Sequence, residues 1–350
     1  MKIPGKKSKK KTKIYMAAVV LAVLIPAAAI GGYAIWKTQN TAETAAGKGA
    51  EDSLSREEGT GSGEDVSSTV TYQGKKYTYN DHLSNFLFLG IDSREKTQTQ
   101  VGRADAGQAD AIFLVSWDRV EHTLTGITIP RDTITEIQIF DQEGNSAGKS
   151  LDHINLAYAY GDGDRESCEL MKEAVSNLLY GVPIQGYAAV SMDGIPVMVE
   201  KVGGVTVTVP DDSLETVNPQ WTAGSQIQLT PENVEDFVRY RDTGESQSAI
   251  VRMERQQEFL NAYARKARQV YGENPSLILD LYTALGDYMV TNISNDQFAQ
   301  IMEGLGDQDN TRTWTLPGEG TQGDGFDEYH VDDSRLYEKI LETFYKEVED

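Results

Sequence analysis

Apolar residues occur in short continuous runs along much of the chain, separated by polar stretches that contain glycine, proline or aspartate. Apolar runs of this length are typical of strands buried on both faces of a sheet. The predicted strands are Asn85–Asp92, Ala109–Asp118, Thr123–Asp132, Pro183–Met192 and Val205–Val209, with a late strand and turn at Thr313–Gly320.

Between these runs, apolar residues recur at the spacing of one helix face. The predicted helices are Leu151–Tyr160, Arg165–Tyr180, Asp193–Val202, Pro231–Val238 with Thr230 as its cap, Ile250–Tyr271, Pro275–Met289, Asn295–Leu305 and Val331–Val348. Alternating strands and helices predict an α/β fold, a layered α-β-α sandwich with a mixed central sheet. Cys168, the single cysteine, has a helical pattern around it and is expected in the core.

The N-terminal region has the pattern of a membrane anchor. Ile14 to Trp36 carries no charge and is long enough to cross a bilayer as a transmembrane helix. Residues 1–13 contain lysines but no acid, so the positive-inside rule predicts a cytoplasmic tail and an extracellular remainder of the chain. A cleaved signal peptide is the rival interpretation, but the apolar run is longer than the core of most signal peptides. The sequence favours an uncleaved, single-pass signal-anchor in the cell membrane.

Residues 37–79 are predicted to link this anchor to the outer domain. Up to about Ser68 the segment is rich in Gly, Ser, Thr and Glu, a composition that favours a flexible tether. Its last part, Tyr72–Tyr79, has the pattern of a short hairpin around Gly74. Residues 80–350 then form the predicted extracytoplasmic domain.

Charge narrows the choice of partner. The formal net charge of −22 disfavours nucleic acid, because binding a phosphate backbone requires an excess of Lys and Arg. Four arginines nevertheless fall close together: Arg239, Arg241, Arg252 and Arg255. Arginine is well suited to bidentate binding of phosphate or carboxylate. If the chain is extended at the first pair, both face one side, and the second pair shares a helix face with Gln256. This cluster predicts an anion-binding site, with surface ion pairs as the alternative.

Acids at strand ends suggest a metal. Asp92 ends the first predicted strand and Asp110 begins the second, while Arg131 lies at the end of the third. Sites in α/β proteins collect at strand ends, and two neighbouring carboxylates are often held together by Mg²⁺. The alternatives are ordinary turn acids and, for Arg131, a salt bridge to Asp132. His153 follows in the chain and is interpreted as a structural residue or a secondary anion contact.

Seven short motifs together resemble the LytR–CpsA–Psr family of Gram-positive cell-envelope proteins. In chain order they are FLFLGIDSR, QADAIFLVSWD, TGITIPRDT, HINLAYAYG, VGGVTVTVP, FVRYRDT and RMERQQ, covering about Asn85 to Leu260. The resemblance implies a Mg²⁺-assisted phosphotransferase in cell-wall assembly. It would move a glycopolymer of teichoic-acid or capsule type from a polyprenyl-pyrophosphate carrier to peptidoglycan through a phosphodiester bond.

The resemblance also implies roles for individual residues. Asp92 and Asp110 match metal ligands. The residues that match pyrophosphate-binding or catalytic positions are Arg131, Arg239, Arg241, Arg252 and Gln256, with Arg255 on the same helix face.

This chain departs from the family pattern in three places. His153 replaces a common lysine, and Ala249 stands where an acid is usual, which leaves the general base open between Asp242 and Glu254. A longer insertion between the two metal acids adds Arg94 and Arg103 as candidate substrate-binding residues.

Two other functions stay open at the level of sequence. One is a pyrophosphatase that acts on the same lipid-linked glycan with water as acceptor. The other is a non-enzymatic, membrane-bound transcriptional attenuator or envelope sensor. The predicted topology and the acidic outer domain argue against direct DNA binding by such a protein.

Overall fold

The computed structural model describes residues 69–93, 99–141, 143–240, 248–274, 276–294, 297, 311–322 and 327–348. Its strands are β1 Thr69–Tyr72, β2 Lys75–Tyr79, β3 Leu83–Ile91, β4 Ala109–Asp118, β5 Thr123–Ile129, β6 Ile134–Phe140, β7 Ser146–His153, β8 Gly186–Ser191, β9 Val205–Thr208, β10 Gln226–Leu229, β11 Met289–Thr291, β12 Thr311–Thr315, β13 Gly318–Gln322, β14 Asp327–Val331 and β15 Tyr345–Val348. Its α-helices are α1 Leu156–Ala159, α2 Arg165–Leu178, α3 Gly194–Lys201, α4 Val234–Arg239, α5 Ser248–Glu273, α6 Leu277–Ala284 and α7 Asp333–Phe344.

A six-stranded sheet organises the domain, in the order β11–β8–β3–β4–β5–β12. The pairs β3/β8 and β5/β12 are parallel, and the other three pairs are antiparallel. The predicted mixed α/β fold with a mixed central sheet is therefore confirmed. The strands read as continuous apolar runs because both faces of the sheet are covered.

Alternate residues of β3 enter two different cores. Phe86 and Phe88 pack in a cluster with buried residues of α3, α4 and α5. Leu87 and Leu89 pack in a second cluster with α2 and α7. Side chains alternate across a strand, so one uninterrupted apolar run supplies both layers of the sandwich. Cys168 is fully buried in the second cluster, as its helical pattern predicts.

Several element boundaries differ from the sequence predictions. The helix predicted at Leu151–Tyr160 is wrong for its first three residues, which belong to β7 and pair with β6. The helix predicted at Pro275–Met289 ends at Ala284, and Met289 starts an edge strand. The closing helix also ends early, at Phe344, and β15 follows it. In each case pairing with a distant strand overrides local helical spacing, as tertiary context commonly does.

The two ends of the described chain meet in one small sheet. Its order is β1–β2–β15, and both strand pairs are antiparallel. The hairpin predicted around Gly74 is present, so the last eleven residues of the interval 37–79 lie in β1, its turn and β2. The backbone N–H of Asn80 then donates to the Phe344 carbonyl at 2.9 Å, just before β3 begins.

Within the ranges given above, no helix combines the length and the apolar character that crossing a bilayer requires. The predicted anchor at 14–36 and most of the predicted helix at 295–305 lie outside the described residues.

Candidate active site

The candidate site forms where the central strands place their acids at one edge of the sheet. Strands β3 and β8 run parallel and end side by side, with Ile91 opposite Ser191. On its other side, Ile91 pairs with Ala109 at the start of β4. The antiparallel strand β5 also ends at this edge, because Ile129 pairs with Ile112. The residues that follow or begin these strands therefore converge.

Asp92 is fixed against the start of β4. Its backbone N–H donates to the Gln108 carbonyl at 3.1 Å, and its Oδ1 accepts from the Gln108 N–H at 2.7 Å. Gly107 makes this approach possible: its φ is +89°, and a Cβ there would meet the Ser93 Cβ at 2.9 Å. Only glycine adopts such a conformation at little cost. The Asp92 carboxylate is thus held in place while its side chain stays exposed.

Arg131 lies between two carboxylates. Its Nη1 donates to Asp110 Oδ1, and its Nε donates to Asp132 Oδ1 at 3.1 Å. Burial alone would lower the pKa of Arg131, but the two carboxylates outweigh it and raise the pKa. The predicted ion pair between Arg131 and Asp132 is therefore present, together with a second pair to Asp110. This arrangement keeps the guanidinium charged and points it at the same edge as Asp92.

The segment from His153 to Asn155 joins the ends of β4 and β5. The Asn155 N–H donates to the Arg131 carbonyl at 3.3 Å, and the Asn155 carbonyl accepts from the Ala109 N–H at 3.3 Å. Its side-chain Nδ2 donates to Gln108 Oε1 at 3.1 Å. The buried Asn155 Oδ1 has no hydrogen-bond partner among the residues that the structure describes. Sequence reasoning did not single out this residue, although it stands inside the quoted motif HINLAYAYG.

His153 contacts protein on both ring nitrogens. Nδ1 lies 3.2 Å from Asp152 Oδ1, and Nε2 lies 3.0 Å from the Asp327 carbonyl oxygen. The ring therefore links β7 to the start of β14. This position agrees with the structural alternative weighed for His153, while its predicted role in substrate binding stays a prediction.

A second arginine–acid pair lies at the same edge of the sheet, after β8. Arg239 is the last residue of α4, and its Nη2 donates to Asp193 Oδ1 at 3.2 Å. Asp193 is the second residue after β8, and the Met192 N–H between them donates to the Ile91 carbonyl at 3.0 Å. The buried Nε of Arg239 finds no hydrogen-bond partner within the described ranges. Sequence reasoning missed Asp193, although it carries the signal that identified Asp92, an acid directly after an apolar strand.

Arg255 is buried rather than open to a ligand, with 1% of its surface exposed. Its Nη2 donates to the Tyr240 carbonyl, and its guanidinium lies over the Tyr240 ring, 5.8 Å from the centroid. Tyr240 follows α4 directly and has an extended backbone, with φ −52° and ψ 133°. Arg255 therefore ties helix α5 to the point where the chain leaves Arg239.

The other predicted site residues are less fully described. Arg103 is exposed in the turn before β4, and its N–H donates to the Gln100 carbonyl at 3.2 Å. Arg94 and Arg241, with the base candidate Asp242, lie outside the described residues. Arg252, Glu254 and Gln256 belong to α5, but only its backbone is described at those positions. Their predicted roles stay predictions.

The acids at this edge have the chemistry that Mg²⁺ requires. Mg²⁺ is usually held by one or two carboxylates together with water and substrate phosphate oxygens. Asp92 and Asp110 provide two partly exposed carboxylates on adjoining strands, which fits that pattern. In the part of the chain that the structure describes, no three His, Cys, Asp or Glu side chains are grouped as a complete protein-only metal site.

Partly exposed carboxylates and arginines at the strand ends of a mixed sheet form a candidate site for an anionic ligand. Comparison with known proteins then assigns the chain to a family. The model of the LytR_cpsA_psr family matches residues 39–344. The protein therefore belongs to the LytR–CpsA–Psr family, which confirms the resemblance seen in the seven motifs.

The curated relatives are transferases by name. TagU of Bacillus mycoides, a polyisoprenyl-teichoic acid–peptidoglycan teichoic acid transferase, is 29% identical over 252 residues, which are 71% of this chain and 74% of TagU. TagU of Halalkalibacterium halodurans is 27% identical over 241 residues, covering 68% of this chain and 70% of its own.

Solved structures share the fold. B. subtilis TagV has a TM-score of 0.51 at 24% identity, covering 75% of this chain and 96% of TagV. TagT bound to LI-WTA has a TM-score of 0.50 at 21% identity, covering 75% of this chain and 90% of TagT.

Proposed function

We propose that this protein transfers a glycopolymer of teichoic-acid type from a polyprenyl-pyrophosphate carrier to peptidoglycan. The observation that carries the proposal is the convergence of Asp92, Asp110 and Arg131 at one sheet edge, beside the Arg239–Asp193 pair. Family membership and the printed names of the TagU relatives support the choice of substrates.

The reaction requires neutralisation of a pyrophosphate and access for a hydroxyl group. A peptidoglycan sugar hydroxyl attacks the glycan-side phosphorus, forming one P–O bond as the bond to the bridging oxygen breaks. Polyprenyl phosphate leaves, and the hydroxyl proton passes to a base. Phosphoryl transfer depends mainly on positioning and charge stabilisation, which is the contribution that arginines make.

The residues have separate tasks in this proposal. Asp92 and Asp110 would hold Mg²⁺, which supplies charge neutralisation at the phosphate oxygens. Arg131 and Arg239 contact the phosphate oxygens, and their carboxylate partners keep the guanidinium groups oriented before substrate arrives. Arg241, Arg252 and Gln256 complete the proposed site from the segment after α4 and from α5.

The proposed location follows from the substrates. A single-pass signal-anchor at 14–36 with a cytoplasmic N-terminus would place the domain outside, near a carrier that is itself in the membrane. The charge-free run and the lysines before it support this arrangement. Protease protection in intact cells measures it directly, and a protected C-terminal domain would contradict it.

Release of polyprenyl phosphate from a synthetic lipid-linked glycan tests the activity. Full-length protein in lipid vesicles should release it only with Mg²⁺, and should attach the glycan to added peptidoglycan. Equal release without peptidoglycan, with free glycan phosphate as product, would identify a pyrophosphatase instead. An Arg131→Ala variant that retains wild-type turnover would overturn the assignment of the site.

A further inference from the structure

A second concave surface lies on the flank of the domain, outside the residues assigned above. It is bounded by the start of β6, by β7, by the C-terminal end of α2 and by the start of α7. Its volume is about 350 Å³. That is at the lower end of the ~300–1,000 Å³ typical of small-molecule sites. We refer to this surface as the flank groove.

Tyr180 gives the flank groove an exposed aromatic wall. It is the second residue after α2, is 43% exposed, and has a φ of +56°. A residue with left-handed φ just after a helix is usually Gly or Asn, because a side chain is strained there. Tyr180 therefore carries a backbone cost that Gly or Asn would avoid. Strain of this kind is concentrated at functional sites.

Neighbouring tyrosines fix the orientation of this ring. Tyr180 packs edge-on against Tyr337, with ring centroids 5.2 Å apart at 71°. Tyr337 in turn packs on Tyr72, with centroids 5.3 Å apart at 59°. Offset and edge-on contacts are the favourable geometries for aromatic pairs. The Tyr180 ring is thus held in place before any ligand arrives.

The opposite wall combines an exposed leucine with polar groups. Leu151 of β7 is 69% exposed and pairs across the hairpin with Glu136 of β6. Asn177 and Asp333 complete the lining on the helix side. An apolar surface on two sides with a few amide and carboxylate groups suits a sugar ring, whose C–H faces are apolar and whose hydroxyls need hydrogen-bond partners.

The charge of the flank groove selects among saccharides. Glu136 and Asp333 contribute two carboxylates, and the lining that the structure describes contains no Lys or Arg. His330, also in the lining, has its Nε2 2.9 Å from Glu328 Oε2. Like charges repel, so a phosphate-rich polymer is disfavoured here and a neutral saccharide is favoured. Among neutral saccharides, the N-acetylated glycan of peptidoglycan is the acceptor in the function proposed above.

One end of the flank groove lies near the candidate active site. Ile134 in its lining follows Arg131 by three residues, or about 10 Å of extended chain. The backbone N–H of Tyr329, next to His330, donates to the Asp132 carbonyl at 2.8 Å. A glycan strand lying in the groove would therefore have neighbouring sugars close to Arg131.

We propose that the flank groove binds a neutral, N-acetylated glycan strand and so holds the acceptor beside the active site. This inference rests on the proposed transferase function for its biological meaning, but binding itself is measured without catalysis. The groove is a subsite, and its residues touch sugars remote from the reacting hydroxyl.

Binding of chitotetraose, a neutral N-acetylated tetrasaccharide, to the full-length protein in detergent tests the proposal by calorimetry. Tyr180→Asn removes the ring at a position whose backbone asparagine tolerates well. We expect it to weaken binding roughly fivefold or more while the thermal midpoint is maintained. Tyr180→Phe keeps both the ring and the backbone strain and is the matched control, with binding within about twofold of wild type.

A second variant covers the case in which Tyr180→Asn fails to fold. Leu151→Thr changes an exposed strand residue to one that strands accept, and should also weaken binding severalfold. Wild-type binding by both variants, or no binding of chitotetraose by wild type, would overturn the proposal. Competition by an oligomer of glycerol phosphate would overturn the assignment to a neutral glycan.

The two proposals fail in distinguishable ways. Glycan transfer without chitotetraose binding would overturn the assignment of the flank groove as a glycan-binding site and leave the proposed function intact. Chitotetraose binding that depends on Tyr180, without any transfer or release of polyprenyl phosphate, would overturn the proposed function and leave a glycan-binding site.

Discussion

The two ends of strand β4 each carry one aspartate in a very different environment. Asp110, near the first end, has a side chain that is 32% exposed and pairs with the Arg131 guanidinium. Asp118, at the other end, is 4% exposed. It accepts hydrogen bonds from neutral donors: Asn80 Nδ2 at 2.7 Å, and the N–H groups of Val120 and Glu121 at 2.9 Å.

This difference in exposure and hydrogen bonding means that Asp110 can exchange its binding partner, whereas Asp118 cannot. A partly exposed acid paired with a cation can exchange that partner for a metal or lose it to a phosphate. A buried acid satisfied by backbone and amide N–H groups is costly to disturb and gains nothing from a ligand. Under the proposed function, β4 therefore has a reactive end and a structural end.

The largest expected effect is at the reactive end. Asp110→Asn keeps the shape of the side chain but removes a charge that the proposal assigns to Mg²⁺ and Arg131. We expect release of polyprenyl phosphate to fall about 10²–10³-fold, the usual cost of losing one electrostatic contact at a reacting centre. Glu121→Gln, an exposed acid near the other end of β4, is the control. Activity within threefold of wild type would erase the distinction between the two ends.

The same comparison between buried and exposed charged groups applies to arginines, because Arg255 is buried and Arg265 is exposed. Arg255→Leu leaves the Tyr240 carbonyl without its charged donor and should lower the free energy of unfolding by about 2–3 kcal/mol. Arg265→Leu, on the same helix, removes an exposed arginine and should change it by less than about 0.5 kcal/mol. Urea denaturation followed by circular dichroism measures both. Unchanged stability of Arg255→Leu together with weaker donor binding would instead support the predicted substrate contact.

Asp193 tests whether an arginine's acidic partner matters for function. Asp193→Asn removes the charge that orients Arg239, so we expect kcat/KM for the lipid donor to fall about tenfold with stability within about 1 kcal/mol. Glu200→Gln, an exposed acid on α3, should leave both quantities unchanged. A loss of stability without loss of activity would show that Asp193 has a structural role, like Asp118.

Asp118 should show the smallest effect, and one that depends on pH. Burial alone would raise its pKa, but hydrogen bonds from Glu121, Asn80 and Val120 outweigh it, and the pKa lies below its ordinary value. A lowered folded-state pKa contributes stability above the ordinary value of about 4, and that contribution is lost as pH falls through the folded-state pKa.

Asp118→Asn should therefore cost about 1 kcal/mol at pH 7 and leave transfer activity unchanged. The difference in urea midpoint between wild type and variant should shrink as the pH is lowered from 6 to 3. A difference that stays constant over this range would show that the Asp118 carboxylate charge is not what stabilises this end of β4.

Much of the fold could be predicted from apolar runs alone, because β3, β4, β5 and β8 are buried on both faces. The hairpin of β6 and β7 could not: Ser146–His153 is largely polar, and it is a strand only because Ile134–Phe140 pairs with it. Such a long-range pairing cannot be predicted from the local amino-acid composition.

The candidate site was predictable to a similar extent. Acids at the ends of apolar strands identified Asp92 and Asp110, and the same rule applied evenly would have found Asp193. Helical spacing placed Arg255 on a face with Arg252, but spacing does not reveal which neighbour covers that face. The contact with the Tyr240 carbonyl depends on how α4 packs against α5, which emerges only in three dimensions.

The position of the sheet formed by β1, β2 and β15 determines how far the candidate site lies from the predicted tether. It attaches where β3 begins, whereas Asp92 follows the end of that strand, roughly 30 Å away at ~3.3 Å per residue. The segment 37–68, predicted from its composition to be a tether, has an expected end-to-end distance of about 30 Å. If residues 14–36 anchor the chain as predicted, the tether and strand β3 have matching lengths, so the candidate site can reach a lipid carrier at the membrane surface as well as the wall beyond it. Shortening the tether by half should impair access to the lipid carrier and spare access to the wall.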